Sequence, residues 1–62
     1  MTAYKVMARN VKTNMRVQRQ DLRQHITAEA EAWRLAQNFA AQMQQRGQDQ
    51  WVAEVSTYSV DQ

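Results

Sequence analysis

The chain has 62 residues, no cysteine, no proline and a single glycine, which bounds it to one thin domain. Ordering each residue costs roughly 1.5 kcal/mol and leaves a small core little to spare for an elaborate catalytic cleft. The net charge of +2 divides unevenly: residues 1–25 carry six Lys and Arg against Asp21 alone, whereas residues 26–62 carry Arg34 and Arg46 against five carboxylates.

Chain order begins with a period of two. From Thr2 to Val11, Tyr4, Val6 and Ala8 alternate with Lys5, Met7 and Arg9, which predicts a strand with one buried face. Lys12-Thr13-Asn14 interrupts it, and Met15 and Val17 then alternate with Arg16 and Gln18, which predicts a second strand and a β-hairpin of unspecified loop length. Keeping Val6 and Ala8 beside Met15 and Val17 requires opposed residue numbers to sum to an odd value, most simply 25. Ala8 is then expected opposite Val17, and Arg9 opposite Arg16 on the outer face. Two facing arginines repel; either an anion lies across them or the guanidinium groups splay into water.

Asp21 to His25 is polar and ends the hairpin, with Leu22 expected to pin the connection to the core. A helix is predicted from about Ala28 to Arg46, with Thr27 as N-cap, Glu29 and Glu31 at the positive end of its dipole, and Gly47 as a left-handed terminator. Its apolar stripe is Ala32, Leu35, Ala36, Phe39 and Met43, with Trp33 at the edge. Trp51 to Val60 is rich in Val, Thr, Tyr and Trp and predicts a third strand. Trp51, Ala53 and Val55 share a face, whereas Tyr58 and Val60 fall with Glu54, which requires a bulge or a partly covered outer face.

The expected fold is α+β in the order β-β-α-β: a three-stranded antiparallel sheet, spatial order 2-1-3, with one helix on one face. The other face is left open and is expected to carry Lys5, Met7, Arg9, Arg16, Gln18 and Glu54, with Tyr58 undecided.

Little in the chain suits catalysis. His25 has no second histidine, Glu29 and Glu31 point apart on a helix, one glycine builds no phosphate loop, and Ser56 and Ser59 have no local base. The expectation is a non-enzymatic binding protein without metal or cofactor. No apolar run approaches the roughly 18 residues of a membrane span and no charged-then-apolar leader opens the sequence, so a cytoplasmic protein without membrane contact is expected.

Basic residues on an exposed sheet suit nucleic acid, duplex in preference to single strand. Lys5, Arg9, Lys12, Arg16 and Arg19 are the candidates for phosphate contact, Gln18 for base reading, and Tyr58 for a further contact. The alternative is an inhibitor or adaptor that binds an acidic or nucleic-acid-binding protein surface, of the kind a phage or other mobile element encodes to block a host protein. Sheet edges in so small a domain also permit a homodimer.

The run Thr27-Ala28-Glu29-Ala30-Glu31-Ala32-Trp33 after a basic β-meander resembles the strand-to-helix junction of the arm-type DNA-binding domains of phage integrases. The resemblance covers about a dozen residues and implies major-groove reading by a three-stranded sheet. The chain departs from that family in following its helix with a strand instead of a linker.

Overall fold

The computed structural model describes residues 1–20, 24–47 and 49–60. The expectation for Leu22 and the acidic contribution of Asp21 lie outside the described residues. The elements are β1 (Thr2–Asn10), β2 (Arg16–Gln18), α1 (Glu29–Arg46) and β3 (Trp51–Ser59). They form a three-stranded antiparallel sheet of order β2-β1-β3 with one helix, the expected α+β topology.

Both registers follow simple rules. Between β1 and β2 the partners are Met7–Gln18, Ala8–Val17 and Arg9–Arg16, the pairing that hydrophobic matching requires. Between β1 and β3 the ladder runs unbroken from Thr2–Ser59 to Asn10–Trp51. It extends one residue further at each end, where Val60 N–H donates to Met1 O at 2.8 Å and Val11 N–H to Gln50 O at 3.0 Å. No bulge is needed in β3. Tyr58 therefore lies on the face of Glu54, opposite Ala3, and that part of the face is covered: Ala3 has no exposure at all.

The helix packs on β1 and β3 and, among the described residues, not on β2. Small side chains set this contact. Ala32, Ala36 and Ala40 are buried along α1, Val6 and Ala8 along β1, and among the described residues Val6 is the largest side chain that is fully buried. Tyr4, Ile26, Leu35, Phe39, Ala53 and Val55 pack around Val6, Ala32 and Ala36 as a half-buried rim. Alanine brings a helix axis close to a sheet, so the rim side chains reach around the contact and not into it.

Three local expectations change. Ala28, not Thr27, is the N-cap residue, with no side-chain hydrogen bond; the helix starts at Glu29, which leaves the threonine one position too early. Gly47 closes the helix in an extended conformation, φ −148°, so the missing side chain serves no left-handed turn. Met15 was expected in the core and is 61% exposed, because the helix does not extend over β2. Trp33, expected at the edge of the stripe, is 40% exposed.

A contact built on alanine leaves no room for larger groups. Replacing Ala36 with Leu should destabilise the domain by about 2 kcal/mol through overpacking, while Ala41→Leu on the exposed face should change it by less than about 0.5 kcal/mol; urea denaturation of both variants compares them directly.

Candidate functional site

With the helix on one side, the register decides what faces the other. Lys5, Met7 and Arg9 of β1, Arg16 and Gln18 of β2, and Val52, Glu54, Ser56 and Tyr58 of β3 share the uncovered surface. All the expected open-face residues are there, Tyr58 among them. Lys12 lies in the turn after β1 and is exposed. Arg19 follows β2, where its N–H donates to Val6 O at 2.9 Å, and it is half-buried and engaged in further contacts.

At the turn-proximal end, the repulsion between Arg9 and Arg16 is answered from within the chain. Glu54 reaches from β3 across the sheet: its Oε2 accepts a hydrogen bond from Arg16 Nε at 2.8 Å and lies 3.9 Å from Arg9 Nε. One carboxylate oxygen thus gathers cations from two other strands. Arg16 remains 56% exposed, so the pair contributes no more than about 0.5 kcal/mol to stability. Its effect is to hold two guanidinium groups side by side. Arg9 is fixed further by donating from Nη1 to Asn14 Oδ1 at 3.2 Å.

That asparagine belongs to the turn linking β1 and β2. Asn10 and Met15 close it through Asn10 N–H to Met15 O at 2.8 Å, with Asn14 N–H donating to Asn10 O at 2.8 Å. Asn14 takes φ 64°, a left-handed conformation that asparagine tolerates better than most residues. Asn10, 5% exposed, organises the loop from beneath. Its Oδ1 accepts from the N–H groups of Lys12 and Thr13 at 2.9 and 3.1 Å, and its Nδ2 donates to Asp49 Oδ2 at 3.0 Å. The turn that displays Lys12 is thereby tied to the connection between α1 and β3.

The other end of the open face is built differently. Ile26 bridges to β1, its carbonyl accepting from Tyr4 N–H at 2.8 Å. His25 is thereby brought over the sheet, its Nδ1 2.8 Å from the Tyr58 hydroxyl. Lys5 Nζ lies 5.8 Å from the centre of the Tyr58 ring. Beside these groups is a partly open cavity of about 220 Å³, lined in part by Lys5, Gln18, Arg19, Gln24, His25 and Tyr58. Among the described residues, no cluster of three or more His, Cys, Asp or Glu side chains is arranged to hold a metal ion.

Sequence reasoning placed the cations but missed three contributors: Glu54 as their counterion, Asn10 as organiser of the turn, and His25 as the partner of Tyr58. The first needed the β1–β3 register, which pairs Met7 with Glu54. The other two depend on loop geometry that residue alternation does not encode.

No family model, curated protein or solved structure matches this chain. The likeness to integrase arm-type domains stays local, since the uncapped junction at Ala28 leads into a helix followed by a strand that pairs with β1.

Losing the Asn10 side chain would leave two backbone donors and Asp49 without their partner. Asn10→Ala should therefore destabilise the domain by about 2 kcal/mol, against less than about 0.5 kcal/mol for Lys12→Ala, as read by thermal or urea unfolding.

Proposed function

We propose that this chain is a non-enzymatic binding protein that lays the open face of its sheet against the backbone of a nucleic-acid duplex. The observation that supports this most is the pairing of Arg9 and Arg16 over one carboxylate oxygen. An oxyanion held at 2.8 Å from one guanidinium and 3.9 Å from the next is the kind of group a phosphate presents. Guanidinium, with several donors in a rigid fork, can hold one carboxylate and engage a second oxyanion. Lys5 extends the basic row along β1, Lys12 extends it at the turn, and the acidic first turn of α1, Glu29 and Glu31, belongs to the element on the opposite face. Gln18, exposed beside Met7, is the side chain suited to reading a base edge.

A second reading draws on the apolar groups among these charges. Met7, Val52 and Tyr58 share the face with its arginines, and Met, aromatic residues and Arg are enriched in protein interfaces. An inhibitor or adaptor docking on an acidic protein surface would use the same side chains.

Salt separates the two. Contact through Lys5, Arg9, Lys12 and Arg16 should give a log–log slope of duplex affinity against salt of about −3 to −4, and Arg16→Gln should flatten it by about 0.9. Glu54→Gln is the sharper probe: removing the internal counterion should strengthen duplex binding at low salt. Mobility shifts with DNA and RNA duplexes measure all of this. Absence of binding by wild type and Glu54→Gln at low salt would refute the nucleic-acid reading.

A further inference from the structure

The two edges of the sheet differ in a way that the single chain does not explain. The β2 edge is short, three residues; it carries Arg16, with Arg19 following it and Lys12 in the preceding turn. Short, cationic edges resist pairing with other strands. The β3 edge has none of these protections. It is nine residues long, with the sequence WVAEVSTYS and Glu54 as its one charged side chain. Proline is absent from the whole chain, and the ladder on its inner side runs without a bulge.

The backbone bonds show what this edge presents. Val60 N–H donates to Met1 O, and Gln50 O accepts from Val11 N–H, so even-numbered residues of the strand turn their polar groups inward to β1. Alternation in an antiparallel ladder then turns those of Trp51, Ala53, Val55, Thr57 and Ser59 outward. Among the described residues, no strand pairs with that side.

We infer that β3 pairs with β3 of a second copy, antiparallel and centred on Val55, making a two-fold dimer with a continuous six-stranded sheet. Three observations select this partner and register. Outward groups on odd-numbered residues require opposed numbers to sum to an even value, and centring on Val55 pairs all nine residues of the strand with one another. That register puts Glu54 opposite Ser56 of the second copy and Val52 opposite Tyr58, an aromatic and β-branched pair. Centring on Glu54 instead would oppose two carboxylates directly. Finally, burial favours the pairing: among the described residues the buried apolar side chains are five alanines and Val6, a core well below what stabilises most domains of this size alone. Isologous pairing closes on itself and adds no further free edge of β3.

Thr57 provides the test. It is exposed, and its N–H points away from β1, so proline there removes a bond to the second copy and none within the chain. Sedimentation equilibrium from micromolar to millimolar concentration should give twice the chain mass for wild type and for Thr57→Val. Thr57→Pro and Thr57→Glu should give the chain mass, with far-UV circular dichroism confirming that at least one of them stays folded. Amide exchange in the wild type should be slow at Ala53, Val55 and Thr57. A wild type that remains monomeric throughout, a folded Thr57 variant of either kind that still dimerises, or a dimer with fast exchange at these three amides would overturn the inference.

Discussion

The structure rests on the approach of an alanine-lined helix to two adjacent strands. Ala32, Ala36 and Ala40 meet a surface made by Val6, Ala8 and their neighbours on β3, and the smallness of these groups brings backbone close to backbone. Little apolar area is enclosed by the contact itself, so the surrounding half-buried side chains, Leu35, Phe39, Tyr4 and Val55, contribute much of the hydrophobic stabilisation. The same contact fixes which side of the sheet is inside. Once Val6 and Ala8 face α1, alternation sends Lys5, Met7 and Arg9 outward, and register carries Arg16 and Glu54 to join them.

Charge on that outward surface is arranged rather than merely present. Arginines directly opposite each other on neighbouring strands are unfavourable, and the chain offsets this with a carboxylate from the third strand. Glu54 lowers the net positive charge of the surface, yet it also keeps two flexible side chains in a common orientation. Ordering them in advance reduces the entropy lost when a partner binds. The trade between attraction and preorganisation, through one side chain, is what makes Glu54 informative about the surface.

The sheet was largely legible from residue alternation. Tyr4, Val6 and Ala8 against Lys5, Met7 and Arg9 determined the faces of β1, and hydrophobic matching to Val17 determined the β1–β2 register. The β1–β3 register was not legible, because Trp51, Ala53 and Val55 match Val6 and Ala8 in several alignments; with it went the placing of Glu54 beside Arg9 and Arg16, although its face was read correctly. The ends of α1 were misread for a local reason. Thr27 and Gly47 have the right chemistry for caps, but the helix begins one residue later, which puts Ala28 in the N-cap position, and Gly47 is extended where a left-handed terminator was expected. Met15 was misjudged because its alternation is correct while the helix that would cover it lies over β1 and β3 alone.

That lateral offset of α1 makes the molecule mechanically uneven. β1, β3 and the helix form one mutually packed body, while β2, among the described residues, is joined to it by a three-residue ladder, the Arg19–Val6 backbone bond, the Arg16–Glu54 ion pair and a loop stitched from asparagine side chains. Segments with few packed neighbours open at lower free energy than the whole fold. β2, with Arg16 and Gln18, is therefore the strand expected to open before the packed body does. A surface built half on rigid and half on yielding backbone can accommodate partners of slightly different curvature, adjusting on the side that carries the most exposed guanidinium group of the pair.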